Sequence, residues 1–327
     1  MKVKYPLQDS ILINLLKTEY HLSTVNIHFI PMGDSAYSYK VTCHDGHHYY
    51  LKLFDHENDR QVDSLSNLYR VLPLLWRIYS QGALTNISLP IENIHHDYKT
   101  AFADFSVILF HYIEGRTLAD AYPLSNTILY NVGKIMATIH QTNIEHSPLL
   151  KDNFDLSFEM NLRACIDVLE ESLPYNDLEI VVKKKEYIFS LLTKLHQLRS
   201  NIFTEHQFVF CHGDLWGGNL IQKGTDIHVI DWESAILAPR EYDLFNYMGE
   251  GFEILFSSYQ KNTPTPIELD LDLLRMYTYK HHLRNLTNWL MNIIYRNKNE
   301  KQNLNDIEMI LHHCLNRLDD GASPPMC

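Results

Sequence analysis

In one segment of the chain, residues 208–233, two acids and an amide stand between short apolar runs. "FVFCHGD" opens the segment as an apolar strand that ends in a polar cluster. "NLIQ" and "IHVID" follow as a predicted β-hairpin across the turn "KGTD". Because the hairpin returns the chain to the edge where it began, we expect Asp214, Asn219 and Asp231 to lie close together.

These three side chains suit phosphate transfer that depends on Mg²⁺. The ion prefers hard oxygen ligands and usually takes one or two carboxylates besides phosphates and water. Asn219 and Asp231 would supply such oxygens, and Asp214 would orient a substrate hydroxyl in line with the γ-phosphate of ATP. The plainer interpretation is an acidic turn that joins two strands.

Periodicity predicts different structures in the two parts of the chain. A helix begins at Asp9 or Ser10, and three antiparallel strands follow in "NIHFIPM", "AYSYKVTC" and "HHYYLKLF". A helical region comes next, which Pro73 kinks or divides, and "ISLPIEN" and "FSVILFHYI" resume the β pattern. After "EGRTL" most of the chain is helical. We therefore predict an N-terminal part over residues 1–112 and a C-terminal part over residues 113–327.

"HGDLWGGN", followed by "VIDWE" and "APREYDL", resembles the catalytic loop and metal-binding segment of the aminoglycoside phosphotransferase and choline kinase superfamily. "IDWESAILAPREYDL", "MGEGF" and the N-terminal "PLQDSILINLLKTEY" are most similar to the spectinomycin phosphotransferase branch. The resemblance covers most of the chain. It implies an α+β, bilobal, protein-kinase-like fold, with a small antiparallel sheet in the nucleotide-binding lobe and a larger, mostly helical catalytic and substrate-binding lobe.

The resemblance also implies an ATP- and Mg²⁺-dependent kinase, with Asp214 as the catalytic aspartate and Asn219 and Asp231 as metal ligands. Lys52 in "YYLKLF" stands where the family places a lysine that contacts the α- and β-phosphates. That lysine should pair with an acid on the next helix. Three acids are available there, and Asp63 has a better helical context than Glu57 or Asp59.

Two further stretches match nucleotide-binding parts of the family. In "PMGDSAYS", Gly33 and Ser35 suit close approach to the phosphates, although the glycine-rich pattern of protein kinases is absent. "FHYIEG" falls at the expected hinge, where backbone groups from Phe110 to Tyr112 would contact the adenine. Both stretches also fit an ordinary loop and an ordinary strand.

Some residues of the motif are expected to support the site without reacting. His212 resembles a residue that fixes the loop backbone, and Asp243 resembles an acid that holds the catalytic loop by accepting backbone hydrogen bonds. A helix N-terminal acid favoured by the helix dipole is an equal alternative for Asp243. Gly217 and Gly218 would let the loop turn sharply.

The acceptor is less constrained than the nucleotide. Candidate substrate-binding residues are Trp216, Glu233, Glu250 and Arg284, and a cationic acceptor would need such acids and aromatic rings. We expect a small-molecule hydroxyl, such as that of an aminocyclitol antibiotic like spectinomycin. The alternatives are a choline-, homoserine- or fructosamine-type metabolite, a protein side chain, or a pseudokinase that only binds.

Composition limits the remaining classes. The formal net charge of −12 argues against nucleic acid as the main partner, because phosphate backbones are held by an excess of Lys and Arg. The five cysteines are scattered, which fits a reducing cytosol better than a disulfide framework. With no signal-peptide pattern and no run long enough to span a bilayer, we expect a cytoplasmic protein away from membranes, as a monomer or homodimer.

Overall fold

The computed structural model describes residues 3–33, 35–202 and 206–315. Its helices and strands are, in chain order, α1 (Asp9–Tyr20), β1 (Thr24–Ile30), β2 (Tyr37–Cys43), β3 (His48–Asp55), α2 (Asp59–Ser80), β4 (Lys99–Phe102), β5 (Phe105–His111), β6 (Arg116–Thr117), α3 (Asn126–His140), α4 (Phe158–Glu171), α5 (Glu179–Lys183), α6 (Lys185–Ser200), β7 (Phe208–Cys211), β8 (Leu220–Lys223), β9 (Asp226–Val229), β10 (Ile236–Pro239), α7 (Glu241–Leu244), α8 (Phe252–Lys261), α9 (Leu271–Met291) and α10 (Glu300–Ile310).

A five-stranded sheet of antiparallel neighbours, in the order β1-β2-β3-β5-β4, contains the three predicted N-terminal strands. β3 lies in the middle of this sheet and pairs with β2 on one side and β5 on the other. Lys52 is opposite Ser38 of β2 and Ile108 of β5. The lysine therefore belongs to a central strand, and its position on an exposed sheet edge is ruled out.

The two faces of this sheet differ in chemistry because side chains alternate along each strand. Leu51 and Leu53 of β3 belong to a buried apolar cluster with Leu12 and Leu16 of α1. Full burial of one such leucine stabilises the fold by about 1.5–3 kcal/mol. Lys52, which stands between them, is on the opposite face. The apolar face thus anchors the sheet to α1, and the other, polar face carries Lys52 and Tyr50 beside buried apolar side chains such as Ile108.

Two predicted features of the N-terminal part need correction. The prediction of a strand in "ISLPIEN" is wrong, since its β contacts are two isolated bridges, Ile87 to Val229 and Pro90 to Phe110. α2 runs through Pro73 as one helix, so this proline does not begin a second helix. The Asn58 side chain caps α2 by accepting from the Gln61 N–H. The later hairpin of β8 and β9 is confirmed, with Leu220 opposite Val229.

The chain forms two compact units. The first comprises Met1–Leu150, Val209–Leu237 and Glu253–Pro264, and the second comprises Lys151–Phe208, Ala238–Phe252 and Thr265–Cys327. The second unit is mostly helical, and its core joins α4, α6, α9 and α10. The predicted α+β class, with a small antiparallel sheet and many helices, is confirmed. The predicted functional boundary after residue 112 differs from the limits of the compact units and stays a prediction.

Two observations bear on the expectations from composition. None of Cys43, Cys165, Cys211 and Cys314 forms a disulfide bond, and Cys327 lies outside the described residues. Among the helices of the described ranges, none combines the length and the apolar composition needed to cross a bilayer.

Candidate active site

Asp214 and Asn219 are joined by their side chains in the loop between β7 and β8. The Asn219 amide nitrogen donates to the Asp214 carboxylate Oδ2 and to the Asp214 carbonyl oxygen, both at 2.8 Å. The backbone carbonyl oxygen of Asn219 accepts from the N–H of Ile230, the residue before Asp231, at 3.0 Å. Hydrogen bonds thus connect Asp214 to Asn219, and Asn219 to the residue before Asp231, which accounts for the predicted proximity of the three residues.

His212 supports the same loop from a fully buried position. Its Nε2 lies 2.9 Å from the Ile230 carbonyl oxygen, and its Nδ1 accepts from the Asp214 N–H at 3.3 Å. One tautomer, with the proton on Nε2, satisfies both bonds. The ring contacts that of Trp232, with 4.5 Å between centroids and a tilt of 49°, so the histidine connects the loop to the segment that carries Asp231. This geometry supports the structural role expected for His212.

The glycine that the loop conformation requires is Gly213. Its φ is +84°, and a Cβ there would meet the Ser234 carbonyl oxygen at 1.9 Å. Gly217 and Gly218 have no positive φ; they provide room instead, because a Cβ would strike the Tyr122 ring at 2.7 Å or the Trp216 ring at 2.2 Å. The loop therefore turns at Gly213, and the two later glycines allow close packing.

Asp231 follows β9 with a left-handed backbone, at φ 63° and ψ 59°. Aspartate tolerates this conformation better than most residues, yet it costs free energy. The Asp231 Oδ1 accepts from the Lys52 Nζ at 2.7 Å, and Lys52 also pairs with Glu233. Lys52 and Glu233 are buried, with side chains 3% and 5% exposed, whereas the Asp231 side chain is 30% exposed.

The charges in this cluster change the pKa values of its members. Burial disfavours the charged form of Lys52, but Asp231 and Glu233 outweigh that effect and hold the lysine pKa above its usual value. Burial raises the pKa of Glu233, against the attraction of Lys52. Lys52 is therefore an ammonium throughout the neutral range, and it neutralises part of the acidic charge around it.

The acid that pairs with Lys52 differs from the one predicted. Asp59 and Asp63 are exposed on α2, Glu57 is exposed just before it, and Lys52 pairs with Asp231 and Glu233 instead. The reason lies in the orientation of the helix, since its first buried position is Gln61, whose Oε1 accepts from the Asp55 N–H at 2.7 Å. Glu233, expected to be a substrate-binding residue, has its side chain committed to the lysine.

Tyr50 was missed by the sequence reasoning. It stands two residues before Lys52, hence on the same face of β3, and strand alternation alone could have identified it. Its hydroxyl donates to the Ser38 Oγ at 2.7 Å. Burial and the Asp231 carboxylate raise the pKa of Tyr50 to about 12, so the hydroxyl stays protonated. An aromatic ring is thus fixed on the polar face of the sheet beside the lysine.

The predicted hinge follows the end of β5. The Tyr112 N–H donates to the His48 carbonyl oxygen at 3.1 Å, which extends the pairing with β3. Backbone groups alternate in direction along an antiparallel pair, so those of His111 point away from β3. Phe110 is buried, and its ring centroid lies 5.9 Å from the Lys52 Nζ. Adenine contact through the backbone of Phe110 and Tyr112 stays a prediction, and the Tyr112 N–H is already bonded.

The predicted phosphate-covering loop lies between β1 and β2. Gly33 has a φ of +76°, and a Cβ there would meet no heavy atom within 4 Å. The glycine thus serves the backbone conformation, as a turn requires. Ser35 is half-buried, and Asp34 between them lies outside the described residues. Contact of this loop with phosphates stays a prediction.

The other predicted residues are described within their own units. Trp216 in the first unit is 41% exposed and covers Gly218. In the second unit, Asp243 is fully buried in α7 and Glu250 is exposed, and burial raises the pKa of Tyr242 against the weaker, lowering effect of Arg284 of α9. Their roles in loop support and acceptor binding stay predictions.

A family model described as "Phosphotransferase enzyme family" matches residues 26–278, which include β3, the catalytic loop and the segment with Asp231. The chain belongs to the phosphotransferase enzyme family. As a phosphotransferase it is an enzyme, and the suspected superfamily is confirmed.

Solved structures show the fold of this phosphotransferase. A spectinomycin phosphotransferase, APH(9)-Ia, in complex with ADP and spectinomycin is 20% identical, with 93% of this chain and 94% of that chain covered and a TM-score of 0.76. The choline kinase LicA from Streptococcus pneumoniae is 17% identical over 96% and 98% of the two chains, with a TM-score of 0.57. Amicoumacin kinase hAmiN in complex with AMP-PNP, Ca²⁺ and Ami is 17% identical over 93% of each chain, with a TM-score of 0.57. Curated protein sequences gave no match.

The donor set of the phosphotransferase fits a magnesium ion. Asp231 offers a partly exposed carboxylate. Asn219 offers its amide oxygen, because its amide nitrogen is bonded to Asp214. A carboxylate and an amide oxygen are hard ligands of the kind that Mg²⁺ prefers, with phosphate and water completing the octahedron.

Proposed function

We propose that this phosphotransferase transfers the γ-phosphate of ATP, in the presence of Mg²⁺, to a hydroxyl group of a small molecule. The observation that carries the proposal is the bonded network from Asp214 through Asn219 to the segment of Asp231, which ends in the ion pair with Lys52. It joins an acid suited to orient a hydroxyl to a lysine suited to hold phosphates. An acidic turn without catalytic function has no need of a buried lysine.

Each residue of the network has a distinct role in the proposal. Asp214 accepts the hydrogen bond of the acceptor hydroxyl and aims its oxygen at the γ-phosphate. Lys52 binds phosphate oxygens, and Asn219 and Asp231 hold the metal ion. A magnesium ion held there would supply positive charge that offsets the negative charge of the phosphates. The rate then comes mainly from positioning and charge stabilisation, since phosphoryl transfer asks little covalent work of the protein.

The nucleotide would bind along the polar face of the sheet. Tyr50 presents its ring there, and the backbone groups of His111, which point away from β3, suit the hydrogen-bonding edge of adenine. Gly33 and Ser35 would lie over the phosphates. The solved relatives in complex with ADP, AMP and AMP-PNP support a nucleotide as donor.

For the acceptor we propose an aminocyclitol or amino sugar of the spectinomycin type. The spectinomycin phosphotransferase complex has a TM-score of 0.76, against 0.57 for the choline kinase. The net charge of −12 suits a cationic acceptor. Trp216, Glu250 and Arg284 are the candidates for contacts with it. A choline-like alcohol is the second candidate, because a choline kinase shares the fold.

The test is a screen of ATP consumption with the full chain and Mg²⁺. Spectinomycin, other aminocyclitols and amino sugars, choline-like alcohols and homoserine- and fructosamine-like metabolites serve as acceptors, with a generic protein substrate as a further arm. Acceptor-dependent ADP release that disappears in Asp214→Asn supports the proposal. Binding of Mg·ATP without turnover on any acceptor would favour a pseudokinase. Turnover on the protein substrate alone would show that the acceptor is a protein side chain. A cytoplasmic location and a monomer or homodimer belong to the same proposal.

A further inference from the structure

We propose that Glu233, held by Asn67 of α2, is the acid that positions Lys52 for the nucleotide phosphates. The inference rests on the proposed function, because a positioned Lys52 matters only where phosphates bind. The acid that was expected on α2 is instead Glu233, in the segment that follows Asp231. α2 then acts on the lysine through this segment.

The two acids that contact Lys52 have different surroundings. The Glu233 side chain is 5% exposed and its carboxylate contacts the buried ammonium. The Asp231 side chain is 30% exposed, and the proposed function assigns it to the metal ion. Glu233 is therefore the partner dedicated to Lys52, whereas Asp231 divides its carboxylate between the lysine and the ion. A dedicated buried partner fixes the ammonium in one place.

The contact from α2 is made by an amide. The Asn67 Nδ2 donates to the Glu233 and Ala235 carbonyl oxygens, both at 2.8 Å. An amide nitrogen has two hydrogens, and these two carbonyls use both. A carboxylate at position 67 would instead turn its lone pairs toward the same two oxygens and repel them. The chemistry at this position thus excludes an acid and requires a donor.

The segment that Asn67 holds is short and tightly placed. Residues Trp232–Ser234 form one 3₁₀ turn after the left-handed Asp231. Trp232 is 2% exposed and stacks on Phe210 at 5.6 Å between ring centroids. The bonds from Asn67 therefore fix the backbone of Glu233 from one side while Trp232 anchors it from within the fold. The Glu233 carboxylate therefore contacts Lys52 from a backbone that is held in place.

The test measures ATP binding by calorimetry in EDTA, so that no metal contributes, and again with Mg²⁺. We expect Lys52→Met and Glu233→Gln each to weaken ATP binding at least about tenfold in EDTA, the loss expected when a charge-assisted hydrogen bond is removed. Adenosine, which has no phosphates, should bind as it does to the wild type. Asn67→Asp should weaken ATP binding in the same direction.

The Lys52→Met/Glu233→Gln double variant separates a positioning role from other roles. If Glu233 acts through Lys52, the double variant binds ATP as weakly as Lys52→Met alone. If Glu233→Gln weakens ATP binding equally with and without Lys52, or weakens it only when Mg²⁺ is present, the inference is overturned. Equal loss of adenosine binding would show that the whole site had collapsed and would also overturn it.

Asp63→Asn is the matched control, because Asp63 is exposed and its replacement does not threaten folding. We expect it to bind ATP as the wild type does, and a loss as large as that of Lys52→Met would return the positioning role to α2. A wild-type protein that binds no ATP in either buffer would remove the proposed function and the inference together. Normal ATP binding with an unaffected Glu233→Gln would remove the inference alone.

Discussion

The side-chain amide of Asn219 donates both to the carboxylate and to the backbone carbonyl of Asp214, at 2.8 Å each. The first bond orients the Asp214 carboxylate, and the two bonds together use both hydrogens of the amide. The amide oxygen of Asn219 takes part in neither bond, and it is the atom proposed to bind the metal ion. Asn219 thus orients the Asp214 carboxylate, which is proposed to accept from the acceptor hydroxyl, and directs its own amide oxygen to the proposed metal ion.

We expect Asp214→Asn to lower kcat by about 10²- to 10⁴-fold, the usual contribution of a positioned proton acceptor. The asparagine oxygen still accepts from the Asn219 amide, so the loop and the affinity for ATP should persist. Steady-state kinetics with the acceptor found in the screen gives kcat, and calorimetry gives ATP affinity. Asp226→Asn, at the exposed start of β9, is the matched control. Full activity of Asp214→Asn would contradict the proposed role.

Asp231→Ala should weaken binding of Mg·ATP. Removing the carboxylate takes away a metal ligand and one of the two acids paired with Lys52. We expect the Mg²⁺ concentration for half-maximal activity to rise at least about tenfold, since loss of even an outer-shell partner has that effect. A titration of MgCl₂ at fixed ATP measures it, with Asp226→Ala as control. An unchanged magnesium requirement would exclude Asp231 as a ligand.

Gly213→Ala should damage both stability and turnover. The alanine would have to adopt a φ near +84°, and its Cβ would meet the Ser234 carbonyl oxygen at 1.9 Å, so the catalytic loop must shift. Gly224→Ala is the matched control, since it also has a positive φ, +62°, but no heavy atom within 4 Å of a Cβ. The control should lose about 1–2 kcal/mol of unfolding free energy and keep its kcat. Equal losses in the two variants would show that the contact with Ser234 does not matter.

Glu241→Gln tests a pH effect in the second unit. Burial raises the pKa of the Glu241 carboxyl above its usual value, despite the N–H of Asp270 that donates to it at 3.1 Å. The stability that the protonated Glu241 carboxyl contributes to the folded state is therefore fully present below the usual carboxyl pKa of about 4.3. It is lost as the pH rises through the raised pKa of Glu241.

Since glutamine has no charge, the unfolding free energy of Glu241→Gln minus that of the wild type should increase from pH 4 to pH 7. Denaturant unfolding at several pH values measures this difference. Glu268→Gln, at an exposed position of the same unit, should show no such trend. Parallel pH curves for Glu241→Gln and the wild type would contradict the assignment.

Several parts of the fold and the site were predictable because they depend on local patterns. The alternation of "HHYYLKLF" predicted β3, and the same alternation could have placed the missed Tyr50 on the face of Lys52. The spacing from Asp214 to Asn219 and the hairpin that follows predicted their proximity to Asp231. The strand predicted in "ISLPIEN" was wrong because an apolar alternation does not supply a partner strand, and residues 87–93 find single bridges instead.

Local sequence patterns account for the chemical groups of this phosphotransferase and for the strand and loop on which each one lies. Which acid meets Lys52 depends on tertiary packing. Its partners are 179 and 181 residues away, and an ion pair over that separation depends on how α2, β3 and the segment after β9 pack together. Helical periodicity predicted Asp63 on α2. In the structure, Gln61 and Asn67 are on the side of α2 that faces the fold, and Asp63 is exposed to solvent.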